Sequence, residues 1–178
     1  DLLLVAPASA NIIAKITHGI ADDMLTTTAL ACRCPKILSP AMNTRMFENP
    51  LVQENLQTLR THQWTVVEPA EGHLACGDTG AGKMPEPETL LQYALQATAC
   101  QKAMQGLKVL VTAGATQEPL DPVRYLTNHS SGKMGYALAR QASLRGAEVT
   151  LVTGKTSLPP VPFVDRIPVV TAEEMWEA

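Results

Sequence analysis

No apolar run in this sequence approaches the roughly 20 residues that span a bilayer, so a membrane-spanning helix is not expected. No basic segment precedes the first apolar stretch, Asp1-Leu2-Leu3-Leu4-Val5-Ala6, so nothing marks a secretory signal. Charge of one sign is also scarce. The 14 Lys and Arg against 17 Asp and Glu leave a net charge of −3, with a sequence pI near 5.8. That balance argues against a general nucleic-acid binder. Cysteine is sparse: Cys32, Cys34, Cys76 and Cys100 are too few in 178 residues for a disulfide framework. Reduced thiols in a cytoplasmic protein are the expectation. Cys32-Arg33-Cys34 reads as a thiol pair or half a metal site, but the rest of a zinc pattern is absent. His18, His62, His73 and His129 are scattered, and no metal site is expected. No internal repeat or low-complexity tract is present.

What is present is a globular composition, 46% hydrophobic and long enough for one ordinary domain or two small ones. Leu2–Ala6, Lys36–Leu38 and Trp64–Val67 read as buried strands. Between them lie three helices. The first follows Ser9 as N-cap, with Ile12, Ile13 and Ile16 on its apolar face and Gly19 as its stop. The second covers Asp22–Cys32, and the third starts at Pro50 with Leu51, Leu56 and Leu59 inward. Pro69–Pro87 reads as a long loop rich in Gly and Pro. A helix follows from Glu88 to about Ala103, with Leu90, Leu91, Ala94 and Leu95 as its core face. Gly106 breaks that pattern. Strands then read at Lys108–Val111, Val149–Val152 and within Val164–Val170. A long loop covers Ala113–Ser131, and a helix covers Gly132–Arg145, closed by Gly146. This alternation predicts an α/β fold of Rossmann-like parallel sheets with flanking helices. Two partial domains are expected, residues 1–104 and 105–178. Both ends look cut from something longer: the chain opens directly on a strand, and the capping box Thr171–Glu174 opens a helix shortly before Ala178.

Chemistry concentrates in four stretches. Pro40-Ala41-Met42-Asn43-Thr44-Arg45-Met46-Phe47 follows a strand that Pro40 ends. Met42 and Asn43 therefore fall just past a strand's carboxyl end, where open α/β sheets bind ligands. The Asn43 amide suits a carboxylate, and a plain turn is the alternative. Pro7-Ala8-Ser9-Ala10-Asn11 leads from a strand into a helix N-terminus, which presents free N–H groups to an anion or is simply capped by Ser9. Gly72–Glu88 contains a formal G-x-x-x-x-G-K, but Met84 replaces the Mg²⁺-binding hydroxyl, and Pro85 and Pro87 break the helix that a P-loop requires. The better reading is a mobile flap carrying Cys76. The fourth stretch, Val111–Gly135, joins a Gly114 turn to a Ser130-Ser131-Gly132 helix start, an arrangement suited to a nucleotide phosphate. It lacks the dinucleotide fingerprint, which makes a plain NAD oxidoreductase a poor reading. Arg124 and Asn128, four residues apart, suit an acyl-phosphate-like group, with a solvated surface loop as the alternative.

The first three stretches resemble the flavin-dependent cysteine decarboxylase family. Residues 40–47 are similar to its Pro-x-Met-Asn-x-x-Met-Trp substrate motif, with Phe47 for Trp, and residues 7–12 to its Pro-Ala-Ser-Ala-Asn-Thr flavin motif, with Ile12 for Thr. The fourth closely resembles the start of the phosphopantothenate–cysteine ligase domain. Both in this order resemble the bifunctional enzymes of bacterial coenzyme A biosynthesis.

The resemblance implies FMN held by Ser9, Ala10, Asn11 and Met42. It implies substrate contacts from Asn43 and Met46, a carboxylate held by Asn43, and a proton donated by Cys76. For the ligase it implies CTP with Mg²⁺ near Gly114, Ser130, Ser131 and Gly132, with Arg124 and Asn128 acting on an acyl-cytidylate. The implied substrates are 4′-phosphopantothenate, cysteine, CTP and 4′-phosphopantothenoylcysteine, and the implied assembly is a homo-oligomer. The family's catalytic histidine and its CTP-binding lysine are expected outside these 178 residues, which makes this chain alone an inactive fragment. A non-catalytic flavin- or nucleotide-binding module is the alternative.

Overall fold

The computed structural model describes residues 1–73 and 79–178. They form two compact units, Asp1–Thr98 and Ala99–Ala178. Residues 99–104, which the sequence attaches to the first half, belong to the second. There Met104 N–H donates to the Arg145 carbonyl, and Lys102 Nζ donates to the Leu144 carbonyl.

The first unit is built on a parallel three-stranded sheet of β1 (Leu3–Ala8), β2 (Lys36–Pro40) and β3 (Trp64–Val66), in that spatial order. Strand β1 continues through Pro7 and Ala8, where the sequence reading had a loop, because Ala8 pairs with Pro40 past an irregularity in the ladder. Strand β2 carries alternate residues to opposite faces. Leu38 joins Val5, Ala8, Ile13, Ala29, Leu56, Leu59 and Trp64 on one side. Ile37 joins Val67 and Leu90 on the other. Helices α1 (Ala10–Thr17), α2 (Met24–Ala31) and α4 (Pro50–Thr61) supply the first cluster, and α5 (Pro87–Thr98) supplies the second. The expected α/β/α layering is therefore observed.

Side-chain caps set the helix starts. Asp23 and Thr26 form a reciprocal capping box on α2, and Asn49 caps α4 ahead of Pro50. Two expected helix faces rotate. On α4 the inward stripe is Val52, Leu56 and Leu59, an i, i+4, i+7 set, while Leu51 is 70% exposed. On α5 it is Leu90, Tyr93 and Ala97, with Leu91 on the solvent side, and the helix ends at Thr98, short of Ala103.

Pro69–Pro87 is not a featureless loop. It holds an antiparallel pair, β4 (Ala70–His73) and β5 (Thr79–Lys83). The short helix α3 (Thr44–Phe47) follows β2, where a plain turn was the alternative reading.

The second unit repeats the parallel plan with β6 (Lys108–Ala113), β9 (Glu148–Thr153) and β10 (Asp165–Pro168), ordered β10-β9-β6. The expected long loop contains a two-residue pair, β7 (Glu118–Pro119) and β8 (Tyr125–Leu126). Helix α6 (Lys133–Leu144) packs Tyr136, Ala139 and Ala142 onto Ala113, Val149 and Leu151. Gly135 sets the closeness of that packing: a Cβ there would lie 2.5 Å from the Ala113 Cβ. The chain closes with α7 (Ala172–Glu177), whose Thr171–Glu174 capping box forms as read from the sequence. Among the described residues, no helix is long and apolar enough to cross a membrane.

Leu56 is fully buried in the first unit's larger cluster. Leu56→Ala is expected to lower the stability of this unit by about 2–5 kcal/mol, measured by denaturant titration, because removing a core leucine loses burial and leaves a cavity.

Candidate functional site

The carboxyl ends of β1 and β2 lie side by side, and two of the four sequence stretches meet there. The Ala41 N–H donates to the Ala8 carbonyl at 3.0 Å, tying the start of one stretch to the end of the other. Ser9 caps α1 weakly, its hydroxyl accepting from Ile12 N at 3.4 Å. No acidic residue occupies the first turn of α1, so its positive end is uncompensated. Ser9 and Asn11 are exposed at that end, and Ala10 is the first helical residue. On the neighbouring strand end, Asn43 Oδ1 accepts from Arg45 N at 2.9 Å and starts α3. Phe47 and Met42 pack against the core, while Met46 is half exposed.

A third stretch, missed by sequence reasoning as a contact, closes on this turn. Met42 N–H donates to the Gly82 carbonyl of β5 at 3.0 Å. A Cβ on Gly82 would sit 2.2 Å from the Met42 carbonyl oxygen, and one on Gly80 would sit 2.8 Å from Thr44 Oγ1. Among the described residues, the Thr44 hydroxyl is buried there without a hydrogen-bond partner. Only glycine permits this approach, and Gly82 also holds φ +142°. The signal was visible as two glycines spaced by one residue in a stretch otherwise read as a loop. Cys76, the flap's expected reactive residue, lies in 74–78, outside the described residues.

In the second unit a separate cleft of about 520 Å³ opens at the N-terminus of α6. Gly114, Ser130, Ser131 and Gly132 line it, together with Lys133. Gly132 caps the helix in the left-handed region with no side-chain acceptor, and no acidic residue follows in the first turn. Gly114, also left-handed at φ +80°, lies against it: a Cβ on Gly132 would come within 3.3 Å of the Gly114 backbone. The helix N–H groups therefore face a space that suits an anion.

Arg124 and Asn128 do not line this cleft. Arg124 Nε pairs with Asp121 Oδ2 at 2.6 Å on the exposed loop. Asp121 Oδ1 accepts from Val123 N and Arg124 N at 2.9 and 2.7 Å. The Val123 N–H foremost, then the Arg124 guanidinium and N–H, hold the Asp121 carboxyl below its usual range. Asn128 Oδ1 is occupied by the Ser130 N–H at 2.8 Å.

The comparisons with known proteins agree with these two halves. A family model described as Flavoprotein matches residues 1–99. A second, described as DNA/pantothenate metabolism flavoprotein C-terminal domain, matches residues 104–178. Over the whole chain, it is 46% identical to the Coenzyme A biosynthesis bifunctional protein CoaBC of Haemophilus influenzae (strain ATCC 51907 / DSM 11121 / KW20 / Rd). It is 47% identical to the protein of the same name from Bacillus subtilis (strain 168). The chain spans 44% and 45% of the length of these relatives. Among solved structures, a mutant PPC decarboxylase complexed with pantothenoylaminoethenethiol is 37% identical, with a TM-score of 0.51 over 52% of each chain.

Two outcomes test this geometry. Gly82→Ala is expected to break the Met42–Gly82 bond and raise hydrogen exchange at the Met42 N–H. For Asp121 the sign follows from its lowered pKa. Its hold on the turn is full above the ordinary carboxylate range and is lost as pH falls through the lowered value. The Val123 and Arg124 amide NMR shifts are expected to titrate over that acidic window, and Asp121→Asn is expected to abolish the titration.

Proposed function

This chain belongs to the Flavoprotein family, and on that premise we propose that its first half is part of an FMN-dependent phosphopantothenoylcysteine decarboxylase of coenzyme A biosynthesis. The observation that carries this reading is the closure of β5 on the Met42–Thr44 turn through Gly80 and Gly82. It sets β5 against the turn that carries Asn43, the residue expected to hold the substrate carboxylate. The relatives named for coenzyme A biosynthesis and the decarboxylase structure support the same assignment.

The residues fit FMN on structural grounds. The positive end of α1, only weakly capped by Ser9 and with no acidic residue in its first turn, suits a phosphate. Ser9, Ala10, Asn11 and Met42 would hold the cofactor. When bound, FMN supplies the two-electron oxidation of the substrate's cysteinyl thiol end that makes CO₂ a good leaving group. Asn43 orients the departing carboxylate, Met46 borders the substrate, and the hairpin limits access of water to the turn. Cys76 Sγ holds the proton delivered to the product carbon.

The second half begins the CTP-dependent ligase that joins 4′-phosphopantothenate to cysteine and so makes the decarboxylase substrate. Gly114, Ser130, Ser131 and Gly132 receive phosphate oxygens of CTP, with Mg²⁺ accompanying the nucleotide. Arg124 leaves Asp121 and, with Asn128, meets the charged acyl-cytidylate. The full-length protein is a cytoplasmic homo-oligomer in this reading.

Because Asn43 also caps α3, Asn43→Ser is the informative variant: serine preserves a cap and removes the amide. In the full-length protein it is expected to retain FMN absorbance while decarboxylation falls by about 100-fold, the scale of losing one oriented donor. Unchanged turnover would defeat the carboxylate role. Asn128→Ala is expected to depress ligation and spare decarboxylation, measured as separate half-reactions; loss of both would argue against two sites.

A further inference from the structure

Cys32-Arg33-Cys34 lies at the amino end of the first unit's sheet, between α2 and β2, away from the strand ends that carry the Met42 turn. None of the chemistry above uses it. Cys32 is the C-cap of α2, its N–H held by the Thr28 carbonyl at 2.9 Å. Pro35, just past Cys34, accepts from Leu3 N at 3.0 Å. Both ends of the link are thus anchored, and the two cysteines cannot drift apart freely. Both are free thiols and partly exposed.

Within the link, the Cys34 thiol and backbone N–H donate to the Cys32 sulfur. These hydrogen bonds, aided by the Lys36 charge, hold the Cys32 thiol below its ordinary range. The same interaction raises Cys34. One sulfur is therefore favoured as the thiolate and the other as the thiol beside it, the division of labour of an attacking and a resolving cysteine. Among the described residues, no group of three or more His, Cys, Asp or Glu gathers as a metal site, so no third ligand joins the pair.

We propose that Cys32 and Cys34 form an oxidisable dithiol that hydrogen peroxide converts to a disulfide within this link. The Cys32 thiolate attacks a peroxide oxygen, the O–O bond breaks, and hydroxide leaves. Cys32 is then a sulfenic acid. The Cys34 sulfur attacks the Cys32 sulfur, the S–O bond breaks, and water departs with the Cys34 proton. Two electrons pass from the sulfurs to the peroxide.

Arg33 provides the readout. Trypsin cuts after it and separates Cys32 from Cys34 unless a disulfide joins them. The reduced full-length protein is exposed to graded hydrogen peroxide, its remaining thiols are alkylated, and the digest is read by mass spectrometry. The expected result is a linked Cys32–Cys34 peptide pair lighter by two hydrogens, appearing at peroxide levels that leave Cys100 alkylated. With Cys34→Ser, dimedone is expected to trap a sulfenic acid at Cys32. Two separately alkylated peptides at every peroxide level, or oxidation no faster than at Cys100, would each overturn the proposal.

Discussion

The approach of Gly82 to Met42 is the constraint on which the first site depends. A backbone hydrogen bond of 3.0 Å and the absence of a Cβ hold one strand of the hairpin against the turn after β2. Everything chemical in this half is then placed by the sheet. Parallel strands end at the same edge, and their carboxyl ends deliver the α1 N-terminus and the α3 cap next to each other. The Ala41–Ala8 hydrogen bond fixes that adjacency without any side chain.

The second unit reaches a comparable result with different glycines. Gly135 lets α6 press onto β6, and Gly114 and Gly132 bring two left-handed turns into contact at the helix N-terminus. The N–H groups exposed there have no carboxylate and no side-chain cap competing for them. In both units glycine removes volume where backbone must meet backbone, and a helix start supplies the positive end. The two units differ in what surrounds that end: a weak serine cap and a hairpin-bearing edge in one, an uncapped cleft in the other.

Much of this was legible. Short apolar runs and helical apolar patterns place the strands and most helices, and Asp23, Asn49 and Thr171 are caps of the kinds that mark helix starts. The failures have separate causes. The β4–β5 hairpin read as a loop because glycines have low strand propensity, and here they serve contact with Met42 and Thr44. Leu51 and Leu91 were assigned inward because apolar character alone does not fix a helix's rotation; packing of Leu56 and Leu90 does. The partners of Arg124 were invisible for another reason: residues 121–124 fold into a turn around the Asp121 carboxylate, and sequence spacing does not show which way the guanidinium closes.

That turn bears on how a ligase loop could work. The Arg124–Asp121 pair is exposed, where water and salt screen it and such pairs stabilise little. Asp121 would keep its Val123 and Arg124 backbone donors if the guanidinium left. The loop can therefore hold its shape while Arg124 changes partners. The phosphoryl group of an acyl-cytidylate, with one negative charge shared by two free oxygens, can compete for a guanidinium by accepting two parallel hydrogen bonds. Asn128 is arranged on the same principle: its oxygen is committed to Ser130 N–H, which sets the side chain's orientation at the edge of the helix-start segment.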